Sequence, residues 1–327
     1  MVSTEQPYIS TGHLPAAGHV QSLVTAAYER YRGNDEGANS TVYPALAAMP
    51  DSLFGLCVAG TDGAVHSAGD AESEFTLMSV SKPFVFALVC EALGPEAVRG
   101  QIGVDATGLP FDSAAAVERS HDGTTNPMVN AGAIATTSLV PGGSLEAKWE
   151  LIQDGFARFA GRRLTLDQEV YASASATNHR NQALARMLKS VGRIYADPVE
   201  ATELYTRQCA LRVNAVDLAM MGATLADGGA QPRTKDQVVS ADVCHYTLAV
   251  MVTAGMYETS GTWIYDVGLP AKSGISGGIV TVAPGKGALA TFAPKLDPIG
   301  NSIKGQLAAT FLSRQLGLDL FVSQRHG

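Results

Sequence analysis

Apolar positions fall in two rhythms along the first third of the chain. Val20, Leu23, Val24, Ala27, Tyr28 and Tyr31 recur at intervals of three and four, which predicts an amphipathic first helix. Residues 54–59 and 64–68 read instead as paired strands, joined by the tight-turn signal Asp62-Gly63. A short apolar approach, residues 75–78, leads to Ser79. Residues 81–93 are mostly Phe, Val, Ala and Leu, which predicts a helix buried all round. Pro83 fits such a helix only in its first turn, and Gly94 is a stop signal.

The middle of the chain reads as helical, with segments at 145–159, 178–191, 199–211, 215–226 and 241–253. Asn214 and Ser240 are expected as N-caps, and Gly228-Gly229 as a stop. After Gly255 the texture changes. Residues 277–283 and 287–292 predict two β segments around Pro284-Gly285-Lys286-Gly287, and 302–316 a last helix. β elements at both ends with helices between predict an α+β fold. Its antiparallel sheet would come from roughly 14–94 and 254–327, and the inserted helical region from roughly 95–253. Residues 1–13 are expected to form a flexible arm.

Composition narrows the partners. Of 327 residues, 46 % are hydrophobic and 17 % charged, enough for a sizeable core. The net charge of −8 and the lack of a basic block argue against nucleic acid. Cys57, Cys90, Cys209 and Cys244 stand singly and His66, His121, His179 and His245 lack ligand spacing, so neither metal nor other cofactor is expected. The opening residues are polar, and no run approaches the ~18 apolar residues of a membrane span. A cytoplasmic protein with no membrane partner is therefore expected. Asp70, Asp217 and Asp227 read as caps or turn residues, and Gly285-Lys286-Gly287 is too short for a phosphate loop.

Candidate chemistry centres on Ser79-Val80-Ser81-Lys82. At a helix start, positions i and i+3 share one face, so the lysine amine can reach the serine hydroxyl. Serine needs a base to become a nucleophile, and lysine can serve only if burial keeps it neutral. Phe75, Leu77, Pro83, Phe84 and Phe86 provide such surroundings. The competing structural reading has Ser79 capping the helix and Lys82 reaching solvent. Lys272-Ser273-Gly274 lies far downstream. Penicillin-binding proteins and serine β-lactamases pair Ser-x-x-Lys with such a triplet on a strand beside the nucleophile, where a backbone N–H faces the serine.

Longer stretches resemble the glutaminase family. Asn126-Pro127-Met128-Val129-Asn130-Ala131-Gly132-Ala133-Ile134 is similar to its NPMxNAGAI segment, and Arg180-Asn181-Gln182-Ala183-Leu184-Ala185 to RNxALA. Tyr205 with Gln208-Cys209, Gly255-Met256-Tyr257, the stretch 268–275 and the tail 296–305 resemble further family segments. The likeness runs from about Tyr43 to the end. It implies a β-lactamase/DD-peptidase-like fold and hydrolysis of L-glutamine through a γ-glutamyl ester on Ser79, with Lys82 as base and Tyr257 moving protons. It also implies an oxyanion held by the N–H groups of Ser79 and Ile275, substrate contacts from Asn130, Asn181 and Tyr205, and a homodimer or homotetramer.

Three positions depart from the family pattern. A glutamate that binds the substrate's α-ammonium usually stands seven residues before Asn181; here it is Ala174. A substrate-contacting tyrosine is replaced by Val42, with Tyr43 adjacent, and the usually polar residue before the nucleophile is Met78. None replaces Ser79 or Lys82. These changes open a second reading, a Ser-Lys acyl-transfer enzyme acting on another small amide, ester or lactam. A third is a non-catalytic ligand-binding paralogue.

Overall fold

Six consecutive buried residues, Gly55–Gly60, form strand β1, which pairs antiparallel with β2 (Val65–Gly69) through the Asp62-Gly63 turn. A two-residue strand β3 (Phe75–Thr76) pairs with β4 (Arg212–Val213), placing Phe75 opposite Val213. The remaining strands are β5 (Ala271–Ser273), β6 (Gly278–Ala283) and β7 (Gly287–Phe292). The main sheet runs β2-β1-β7-β6-β5, antiparallel throughout, so strands from the two ends of the chain meet at the β1–β7 pair, with Leu56 opposite Thr291. The computed structural model describes residues 12–322. The expected arm, residues 1–13, lies outside them except for Gly12 and His13.

Strands β1, β6 and β7 are buried on both faces because helices cover each side, which explains their nearly unbroken apolar sequences. Leu56, Val58, Ile279 and Leu289 pack against Val20 and Val24 of helix Ala17–Tyr31 and Leu312 of helix Ile303–Gln315. On the other face, Cys57, Ala59, Val280 and Ala290 meet helix Ala215–Ala226. Gly222 lets that helix approach closely, since a Cβ there would lie 2.6 Å from that of Ala288.

Helix Lys82–Leu93 is the hub of the helical region, buried at every position from Lys82 to Cys90. It packs against helices Asn130–Ser138, Leu145–Ala160 and Ala241–Ala254. The predicted middle helices are present, as His179–Ser190, Pro198–Cys209, Ala215–Ala226 and two of those just named. Both expected caps form: Asn214 Oδ1 accepts from Asp217 N–H at 2.9 Å, and Ser240 Oγ from Val243 N–H at 3.4 Å. Asp217 closes a capping box and pairs with Arg162, a structural role.

Several helices were not anticipated, among them Pro95–Ile102, Asn130–Ser138, Gln168–Thr177 and Ser260–Val267. Asn130–Ser138 is built mostly of Ala, Gly, Thr and Ser and buried almost throughout, so it has no polar face to generate a helical period. The region around 81–93 also begins differently from expectation. A 3₁₀ turn, Met78–Ser81, precedes the α-helix, which starts at Lys82 with Pro83 in its first turn.

Candidate active site

Ser79 lies in the 3₁₀ turn between β3 and helix Lys82–Leu93, buried at 8 % exposure. No side chain caps either the turn or the helix, so the capping role for Ser79 is not realised. The residue before it, Met78, has φ of 47°. A bulky side chain in that region costs about 1–3 kcal/mol and must be held by its surroundings. Ser81 Oγ donates to Met78 O at 2.8 Å, Gln208 Nε2 to Ser81 Oγ at 3.3 Å, and Thr137 Oγ1 to Gln208 Oε1 at 3.1 Å. This buried polar chain fixes the turn from behind, and leucine-rich packing could not do so directionally.

Lys82 does not reach solvent; only 1 % of it is exposed. Its Nζ donates to Asn130 Oδ1 at 2.8 Å and to Met128 O at 3.2 Å, and stands 5.9 Å from the Phe111 ring centre. Burial lowers its pKa to about 7, against the opposing influence of Cys209 and Asp112. The amine therefore titrates near neutrality, the range in which a general base works best.

Asn130 begins helix Asn130–Ser138 and ties the predicted substrate contacts together. Its Oδ1 also accepts from Tyr205 Oη at 3.2 Å, and its Nδ2 donates to Asn181 Oδ1 at 3.2 Å. The preceding turn is fixed by Asn126, whose Nδ2 donates to Val104 O at 2.8 Å and whose Oδ1 accepts from Met128 N–H at 2.9 Å.

The Lys-Ser-Gly triplet occupies β5 and its end. β5 pairs on one side with β6 and turns its other side towards the 3₁₀ turn that holds Ser79. Gly274 permits that approach: a Cβ there would lie 2.9 Å from Leu77 O and 3.0 Å from Val80 Cγ2. Among the described residues, neither Ser79 N–H nor Ile275 N–H has a backbone acceptor. Lys272 is wholly buried, its Nζ donating to Gly255 O at 2.9 Å and Ser273 O at 2.7 Å. Burial and the charge of Lys82 hold its pKa well below the ordinary lysine range.

Tyr257 sits beneath Lys272, whose Nζ is 4.4 Å from the ring centre, and against Phe111 at 4.5 Å between centroids. Its phenol lies beside Ser79 and donates to Ser273 O at 3.2 Å. Burial pushes its pKa up, so it stays protonated through the neutral range.

A cavity of about 210 Å³ opens over Ser79. Ser79, Asn130, Asn181, Tyr205 and Ile275 all line it, whereas Lys82 and Tyr257 are not part of that lining. The three departing positions line it too. Ala174 is buried, Met78 adjoins Ser79, and Val42 is 58 % exposed at the rim, with half-buried Tyr43 next to it. Sequence reasoning missed Asp112 and Arg180, which face the same cavity as an ion pair at 3.1 Å. They are 68 positions apart, and neither stands in a pattern that announces a charge pair. Among the described residues, no group of three or more His, Cys, Asp or Glu could hold a metal, and no helix is long and apolar enough to cross a membrane.

The model of the glutaminase family matches residues 37–321. The chain belongs to the glutaminase family. It is 62 % identical over 317 residues to Glutaminase 2 of Yersinia pestis, covering 97 % of this chain and 93 % of that relative. It is 48 % identical over 288 residues to Glutaminase of Brucella canis, covering 88 % and 91 %. The solved structure of a probable glutaminase, ybaS, superposes with a TM-score of 0.93 at 43 % identity, covering 94 % of this chain and all of that one. A probable glutaminase from Bacillus subtilis complexed with 6-diazo-5-oxo-L-norleucine gives a TM-score of 0.84 at 31 % identity, covering 98 % and 100 %.

Proposed function

We propose that this chain hydrolyses L-glutamine to L-glutamate and ammonia, with Ser79 as nucleophile and Lys82 as general base. The single observation that carries the mechanism is Lys82, wholly buried one turn after Ser79 with its pKa brought to about 7. Family membership and the similar glutaminases support the substrate. A different amide, ester or lactam, or a non-catalytic ligand, finds no comparable support.

Neutral Lys82 takes the Ser79 hydroxyl proton as Oγ attacks the side-chain amide carbon. The N–H groups of Ser79 and Ile275 receive the developing oxyanion. The tetrahedral species collapses as the amide nitrogen accepts a proton relayed through Lys82 and Tyr257. Ammonia leaves and a γ-glutamyl ester remains on Ser79. Water, deprotonated by the same base, attacks that ester; glutamate departs and Oγ regains its proton. No metal or other cofactor enters any step. Asn130, Asn181 and Tyr205 are assigned to the substrate's polar atoms.

The arrangement of Ser-x-x-Lys at a helix start beside a Lys-Ser-Gly strand supports a β-lactamase/DD-peptidase-like fold. Four unpaired buried cysteines support a reducing, cytoplasmic setting. Homo-oligomeric assembly belongs to the same reading through family likeness.

The test is ammonia release from glutamine with intact-mass detection of one glutamyl group on the protein. Ser79→Ala is expected to lose the adduct and to lower kcat by on the order of 10⁶. Undiminished turnover by Ser79→Ala would overturn the assignment.

A further inference from the structure

One charged pair at the cavity has no part in the chemistry above. Asp112 supplies the sole carboxylate and Arg180 the sole guanidinium among the described residues lining that space. Arg180 Nη1 lies 3.1 Å from Asp112 Oδ2, and Arg180 Nε donates to the main-chain O of Asp112 at 3.0 Å. Asp112 Oδ1 accepts no hydrogen bond from the described residues. One carboxylate oxygen is thus held while the other is available.

The segment carrying Asp112 is tied to the catalytic frame. Asn130 N–H donates to Phe111 O at 2.8 Å, and the Phe111 ring packs on Tyr257 at 4.5 Å. Asp112 therefore keeps a fixed station relative to Ser79, Lys82 and Asn130. Its side chain is 28 % exposed, and its charge is felt at Lys82. Solvent screening there is incomplete, so a cation arriving beside Oδ1 gains more than it would at an open surface.

Glutamine brings such a cation, its α-ammonium, into the same cavity as its amide. The position where the family resemblance places a carboxylate for that group is Ala174, whose buried methyl can accept nothing. An ammonium left without an anionic partner would lose the stabilisation that distinguishes an amino acid from a plain amide.

We propose that Asp112 binds the α-ammonium of the substrate in this chain, with Arg180 as the positioning residue that holds its carboxylate in place. The inference rests on the glutamine reading and specifies how a free amino acid is distinguished from an amide lacking the amine.

The experiment compares kcat/KM for ammonia release from glutamine and from 4-carbamoylbutanoate, which is glutamine without its α-amino group. Wild type, Asp112→Asn, and Asp112→Asn combined with Ala174→Glu are measured. Wild type is expected to prefer glutamine by about 30-fold or more, the range for a partly desolvated charge pair. Asp112→Asn should cut that preference at least tenfold, chiefly through KM for glutamine, and Ala174→Glu should restore part of it. An equal loss on both substrates would mark the Asp112–Arg180 pair as merely structural and overturn the inference. An unchanged preference would overturn it as well. A wild-type enzyme inactive on glutamine would instead overturn the glutaminase reading, and the inference with it, so the two failures are told apart.

Discussion

Lys82 Nζ donates to Asn130 Oδ1 at 2.8 Å, and this contact makes a neutral amide, rather than a carboxylate, the nearest polar partner of the buried amine. A carboxylate in that place would stabilise the ammonium form and hold the pKa high; an amide leaves desolvation free to lower it to about 7. With Lys82 as the proposed general base, activity would need the neutral amine, so kcat/KM should rise with pH through about 7 and then level off. Asn130→Asp puts a negative charge beside Nζ. The acidic limb of the pH–rate profile should then move up by about one unit or more, with a loss of about tenfold at neutral pH. A limb that stays in place would remove Lys82 as the titrating base.

The same depressed pKa carries a cost in stability. Lys82 titrates at about 7 when folded, against 10.5 as its ordinary value. Between those two values the unfolded chain binds a proton that the native protein lacks. Unfolding free energy therefore rises with pH across that window, and stability is lost as pH falls from about 10.5 towards about 7. Lys82→Met removes the buried amine and fills much of its volume. The variant should be inactive yet melt about 5 °C higher near pH 7, with a flatter dependence of Tm on pH across the window. Thermal melts at a series of pH values check this. A lower Tm would mean that the hydrogen bonds to Asn130 and Met128 outweigh the desolvation.

How much of this was legible in the sequence depended on whether a segment keeps a polar face. Helix Ala17–Tyr31 and helix Leu145–Ala160 were readable because each buries one stripe and exposes the other. Helix Asn130–Ser138 buries nearly every position, so its sequence has no period, and β5, three residues long, is too short to show one. In the site, the spacing of Ser79 and Lys82 was local and therefore visible. Asn130, Asn181 and Tyr205 meet across three helices, and only family likeness indicated them. The left-handed Met78 gave no signal at all, since neither glycine nor asparagine marks the place. Its conformation is imposed by Ser81 and Gln208 from behind.

Tyr257 offers a test of proton movement separate from the base. Its phenol lies beside Ser79 and donates to Ser273 O, and burial keeps it protonated. Tyr257→Phe retains the ring that packs between Phe111 and Lys272 and removes only the hydroxyl. We expect kcat to fall about 10²–10³-fold with little change in KM for glutamine. Tm should hardly move, because the ring contacts survive. A fall in Tm matching the fall in activity would assign the hydroxyl to structure instead.

Gly274 links packing to the proposed oxyanion site. The absence of a side chain there lets the end of β5 lie against Leu77 and Val80, and the next residue carries the Ile275 N–H assigned to the oxyanion. In Gly274→Ala the new Cβ would meet Leu77 O at 2.9 Å and Val80 Cγ2 at 3.0 Å. The valine methyl can shift a few tenths of an ångström, but the Leu77 carbonyl precedes the strained Met78 turn and cannot yield freely. The strand end should therefore move outward and carry the Ile275 N–H off the carbonyl oxygen. Oxyanion donors act over a narrow distance range, and losing one costs on the order of 10²–10³ in kcat. Gly274→Ala is accordingly expected to lower kcat about 10²-fold while KM stays within about threefold, since Asp112, proposed to bind the amino-acid end of glutamine, stands on a different segment of the cavity lining. Acylation should slow by the same factor in single-turnover mass measurements. Near-normal kcat in this variant would exclude the Ile275 N–H as an oxyanion donor.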